Sequence, residues 1–226
     1  MKYLKFERFV SKPRLDRFLI ACGNDQERAL ELYKANIIIS KSFYPILHLF
    51  EVFIRNTLNS LLINHFSDPD WIRTQKNIFM NDPSLKPSSF FLKTEVSKTE
   101  TKLAKKGITI TPGKIISEQT LGFWTSLFET HHYKLLNGSI IHCFPLKPSS
   151  INRSSISIKL NRIRDFRNRV FHNEQICFKG TSIDFNDAEM IINDINDLIS
   201  WIDSELVTYL QYFNDIQMRI TKAKRI

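Results

Sequence analysis

The chain has 226 residues, 42% of them hydrophobic and 12% aromatic, with a formal charge of +9 and a pI near 9.5. That is enough apolar material for a core, which excludes a disordered chain, and 6 glycines against 18 phenylalanines disfavour a turn-rich β fold. The basic balance allows a polyanionic partner without naming one.

Residues 14–22 (RLDRFLIAC) read as a short amphipathic helix closed by Gly23, and Asn24 or Asp25 caps the next one. The helical pattern then holds to Phe66. Pro45 lies inside it, and a proline removes a donor and clashes one turn back, so two helices or one kinked helix are expected. Leu49, Phe50, Phe53, Thr57 and Leu61 share one face at helical spacing, with Glu51 and Arg55 opposite. SDPDW at 67–71 is a turn and 81–89 is a Pro/Ser loop.

Residues 90–105 are helical and Gly107 ends them. ITITPG at 108–113 is an extended connector or one weak strand. Residues 117–136 form another helix around LGFWTSLFE, and HCFPLKPSS is loop. Helices are expected at about 155–172 and 186–213, followed by a frayed basic tail at 221–226. The expectation is a single all-α domain over 1–226, with at most one short strand or hairpin.

Residues 1–10 are charged and carry no apolar leader core, and the longest apolar run falls short of a bilayer span. A soluble cytoplasmic protein with no membrane contact is expected. Cys22, Cys143 and Cys177 are scattered, as suits a reducing compartment. His131 and His132 are adjacent, so they point to different sides of a helix, and no metal site or cofactor is expected.

Chemistry gathers in RDFRNRVFHNE, which begins at Arg164. On a helix, Ile156, Ile163, Phe166 and Val170 form an apolar stripe, while Arg164, Arg167, Asn168 and His172 fall beside it. An imidazole can take a proton from a ribose 2′-OH or give one to a leaving 5′-oxygen. A guanidinium can fork onto the phosphate and offset its growing charge. Asn168 can hold either one. DNA lacks the 2′-OH and would be left intact. A solvated helix end would carry the same residues, because the helix dipole favours His and Arg there.

RNRVFHNE (167–174) resembles the RNxxxH signature of HEPN domains and, more narrowly, the Abi-like (abortive-infection) family. LHLFEVFIRNTLNSLL (47–62), ALELYKANIIISKSFYPIL and LGFWTSLF (121–128) resemble further blocks of that family, in the same order. The resemblance implies a HEPN-like helical bundle with an N-terminal helical extension. It implies a homodimer whose RNxxxH helices meet, and a metal-independent endoribonuclease acting in phage defence or as a toxin. Products would be a 2′,3′-cyclic phosphate and a 5′-OH. The partners would be substrate RNA and a small inhibitory or guide-like RNA.

By motif position Arg167 and His172 are the catalytic pair, and Asn168 supports them. Arg164, Arg169 and Asn173 are further candidates for RNA contact. The family often reads HHEPI where this chain has His172, Asn173, Glu174, Gln175 and Ile176, so its second His and its Pro are missing here. Glu51, Arg55 and Asn56 lie in a family block; Glu51 and Arg55 are either an i,i+4 surface pair or a support for Arg167 and phosphate. Trp124 and Phe128 read as core, and His132 and Tyr133 as exposed candidates. The competing functions are a non-catalytic RNA-binding scaffold and an oligomerising defence sensor.

Overall fold

The computed structural model describes residues 2–226. Two short helices, α1 (Tyr3–Val10) and α2 (Lys12–Ala21), lead the chain. Asp25, rather than Asn24, caps α3 (Gln26–Phe66), accepting from the N–H groups of Glu27 and Arg28 at 2.9 and 3.1 Å. α3 runs through Pro45 as one helix of 41 residues, about 60 Å long, so the chain does not divide there. Its buried row is Phe43, Ile46, Leu47, Phe50, Ile54, Leu58 and Leu62. Leu49, Phe53, Thr57 and Leu61 are only half buried. Residues spaced by fours drift about 40° per step, and the flanking helices cover the adjacent row instead.

After the turn at 67–70 come α4 (Trp71–Thr74) and three 3-10 segments, Gln75–Asn77, Phe79–Asn81 and Pro83–Ser88, the last of them within the loop expected at 81–89. α5 (Phe91–Lys105) matches expectation. Residues 108–111 form no strand, because Thr111 caps α6 (Pro112–Glu118) with Pro112 in its first turn. The single helix expected over 117–136 is broken into the end of α6, α7 (Leu121–Ser126) and α8 (Thr130–Leu135). Gln119, Thr120 and Glu129 are extended at the breaks. The buried Gln119 amide donates to Thr99 Oγ1 at 3.1 Å and to the Ile115 carbonyl at 3.2 Å, which holds the first break.

α9 (Arg153–Phe171) is the motif helix, capped by Asn152, whose Oδ1 accepts from Ser155 N–H at 3.0 Å. A two-stranded antiparallel hairpin follows, β1 (Phe178–Lys179) with β2 (Ser182–Ile183). The long final helix is divided at Asp203, which is extended and caps the second piece. The pieces are α10 (Asn186–Ile202) and α11 (Ser204–Gln211). The tail is not frayed. α12 (Ile216–Ala223) docks on α3, Lys224 pairs with Glu189 at 2.7 Å, and Arg28 donates to the Ile226 carbonyl.

The protein is therefore all-α with one short hairpin. One buried apolar cluster extends from Tyr3 to Ala223. α3 passes through it, and α9 lies antiparallel beside α3: Tyr44 stacks on Phe171 at 5.0 Å, and Glu51 meets Arg167 two turns further along. α3 is also long and apolar enough to cross a membrane by length and composition, with mean hydropathy 1.5 over 18 residues, against the expectation of no such run. A third of that stretch is buried within the chain.

Candidate active site at the end of the motif helix

Ile156, Leu160, Ile163, Phe166 and Val170 are the buried stripe of α9, so its polar residues are forced outward. The helix then ends in a Schellman motif. Glu174 N–H donates to the Arg169 carbonyl at 2.9 Å and Asn173 N–H to the Val170 carbonyl at 3.1 Å. Asn173 takes the left-handed conformation there, φ 57, which asparagine tolerates better than other side chains except glycine. This gives a local reason for asparagine at this position. His172 is the residue that caps the helix. It is exposed, and its imidazole has no hydrogen-bond partner among the described residues.

Arg167 is mostly covered, with its side chain 27% exposed. Its Nη2 lies 3.5 Å from Glu51 Oε2, and its Nη1 donates to Asn168 Oδ1 at 3.5 Å. Both contacts are long for a charge-assisted bond, which favours about 2.8 Å. Its Nε is buried without a partner. The guanidinium carbon sits 4.2 Å from the centre of the Phe171 ring. The side chain has therefore reached toward the helix end, over the neighbour of His172. Arg167 and His172 are about 140° apart on an ideal helix, and Arg167 is in contact with Phe171, the residue before His172.

The other candidates separate. Glu51 faces Arg167 and not Arg55, so of the two alternatives the contact to Arg167 forms and the i,i+4 pair does not. Arg55 instead donates to Asn56 Oδ1 at 3.4 Å. Arg164 folds onto its neighbour Asp165 at 3.1 Å and borders Gly122 of α7. Arg169 lies elsewhere on the helix: it donates to the Gln175 carbonyl at 2.8 Å and reaches Asp187 of α10 at 3.4 Å. It clamps the loop after the motif to α10.

That loop is also held by the N-terminal helices. Arg14 donates to the Asn173 carbonyl. Arg17 donates to Gln175 Oε1 at 3.0 Å and lies over the Phe178 ring. Gln175 returns a bond to the Arg14 carbonyl at 3.2 Å. Sequence reasoning missed Arg14, Arg17, Tyr44 and Phe171. The arginine contacts link residues about 160 apart, which no local spacing reveals.

The root of α9 is set differently. Lys159 Nζ meets Asp194 at 2.6 Å and Asp197 at 2.9 Å, while Arg162 meets Asp194 at 2.7 Å. Burial works to lower the Lys159 pKa, but the hydrogen bonds to both aspartates outweigh it and hold it raised. His132, expected to be exposed, is fully buried, with Nδ1 2.8 Å from the Ser126 carbonyl. Burial pushes its pKa down and makes it a neutral core group. Burial also raises all three thiols, Cys177 to about 12, so none is a nucleophile near neutral pH. Among the described residues no group of three or more His, Cys, Asp or Glu is placed to hold a metal ion. The arrangement offers an accessible imidazole, a loosely held guanidinium and an amide.

No protein-family model, curated protein or solved structure matches this chain.

Proposed function

We propose that the protein is a metal-independent endoribonuclease of the HEPN type, with the Abi-like proteins as its relatives. The observation that carries this reading is the seating of Arg167 over Phe171, one residue before an exposed His172 without a hydrogen-bond partner among the described residues. His172 moves the proton at the 2′-oxygen or at the departing 5′-oxygen. Arg167 leaves its long contact to Glu51 in favour of the phosphate, whose charge grows in the transition state. Asn168 steadies the guanidinium. Glu51 keeps Arg167 in reach when no RNA is present.

One copy supplies one free imidazole at this site, while cleavage uses an acid and a base. A homodimer that joins two α9 ends meets that need. The biological role that follows is phage defence or toxin action in the cytoplasm, restrained by a small structured RNA.

The test is RNA incubated with the wild-type protein and with His172→Ala, EDTA present, and product ends mapped. Cyclic-phosphate ends that vanish in the variant are expected. If wild type binds RNA without cutting it, and His172→Ala binds equally, the site is a phosphate-binding or dimerising surface instead.

A further inference from the structure

Beside the site, a hollow of about 520 Å³ opens between the N-terminal helices and the α3–α9 seam. Its walls combine three chemistries. Phe9 of α1 and Tyr44 of α3 bring aromatic rings that are 74% and 57% exposed. Tyr44 already stacks on Phe171, the ring that carries Arg167, so the hollow and the site share a wall. Arg14 and Lys41 bring positive charge, and Lys41 has no ion pair among the described residues. Asn36 brings a fixed amide.

Asn36 is the most telling of these. It is only 3% exposed and lines the hollow. Its Oδ1 accepts from the Ile176 backbone N–H at 2.8 Å, and this decides which way the amide is turned. The Nδ2 group then faces away from Ile176 and has no partner among the described residues. The Nδ2 donors are not sealed in the core: solvent reaches them, so an acceptor entering from outside can take them. One carboxylate, Glu174, also lines the hollow, but it leans toward Arg169, 3.8 Å away.

The geometry points to a nucleotide subsite: this hollow holds one unpaired nucleotide of single-stranded RNA next to the cleaved bond. The base stacks on Tyr44 or Phe9, an acceptor on its edge takes the Asn36 Nδ2 donors, and Arg14 and Lys41 meet the adjoining phosphate. This inference rests on RNA being the ligand of the site. Exposed rings, free donors and unpaired cation together match a nucleotide, whereas an apolar peptide would leave the Asn36 donors and Lys41 unused.

The test uses the full chain with His172→Ala, so that RNA stays intact. Binding of a fluorescein-labelled single-stranded RNA is read by anisotropy. Tyr44→Ala in that background weakens binding about tenfold, the loss of one stacked base, while Tyr44→Phe binds as the parent does. Lys41→Ala, an exposed substitution, weakens binding about twofold and flattens the salt dependence by about one contact. RNA carrying 4-thiouridine crosslinks to peptides containing Phe9 or Tyr44.

Parental affinity in both Tyr44→Ala and Lys41→Ala, or crosslinks only to other faces such as the lysines of α5, overturns the subsite. Cleavage by wild type separates the two readings. If wild type cuts and the subsite variants bind normally, the ribonuclease stands and the subsite falls. If wild type does not cut but Tyr44→Ala weakens binding, catalysis falls and the subsite stands. If the protein binds no RNA, both fall.

Discussion

The two halves of α9 carry similar charge and use it in opposite ways. At its root, Lys159 and Arg162 meet Asp194 and Asp197 at 2.6–2.9 Å, and Asp194 is 2% exposed, although Arg162 Nε is buried without a partner. At its end, Arg167 has its carboxylate contact at a long 3.5 Å, and the His172 imidazole has no partner among the described residues. A closely paired charge is fixed in place and contributes to holding α9 on α10. An undersatisfied one can change partners when an anion arrives. One helix is thereby anchored at one end and kept available at the other.

Substitution at the available end should touch activity and spare stability. His172→Ala is expected to lower RNA cleavage by about 10²–10⁴-fold, as for loss of an acid–base group. Its thermal midpoint should stay within about 1 °C, because an exposed, unpartnered side chain contributes little to folding. A drop of several degrees would show that the helix end is structural and would erase the contrast.

The anchored end should behave conversely. Asp194→Ala leaves Lys159 and Arg162 facing each other with Asp197 alone. The expected destabilisation in urea unfolding is about 2–3 kcal/mol, below the 3–5 kcal/mol of a fully buried pair because both cations reach solvent. The sign with pH follows from the raised folded-state pKa of Lys159. Its contribution is fully present below the ordinary value of 10.5 and is lost as pH rises through the higher folded value. Asp194→Ala should reduce that alkaline loss. An unchanged alkaline limb would mean that Lys159 is not held by these aspartates.

Smaller effects sharpen the boundary between the halves. Glu51→Gln is expected to lower cleavage up to about fivefold with little change in stability, the scale of a partly exposed ion pair. If activity rises instead, Glu51 restrains Arg167 more than it positions it. Asn173→Gly should be neutral or slightly stabilising in urea melts, since its left-handed backbone suits glycine, and Asn173→Ala should destabilise by about 1 kcal/mol. Equal stability of both would remove the backbone explanation for asparagine at that position.

Much of this was legible in the sequence, because local rules govern it. Asp25 as a cap, Gly107 as a stop and the α9 stripe follow from spacing and residue type alone. The breaks at Gln119 and Asp203 were not legible. Both depend on side chains that serve the backbone: Gln119 bonds across to Thr99, and Asp203 accepts from Glu205 N–H. Helical periodicity continues through both residues and hides the interruption. At the site, the motif residues were legible, but their surroundings were not. Lys159 and Arg162 repeat the i,i+3 spacing of Asp194 and Asp197, a signal that could have revealed the clamp. Nothing local links Arg14 and Arg17 to the loop after His172, since chain folding alone brings them together.

Pro45 in the middle of α3 has a consequence for the hollow beside the site. Proline has no amide hydrogen, so the Lys41 carbonyl one turn earlier receives no bond from it. Lys41 and Tyr44, on either side of that gap, both line the hollow. The longest helix thus lacks one i,i+4 main-chain bond on the stretch that borders the hollow, whatever side chain stands at Lys41.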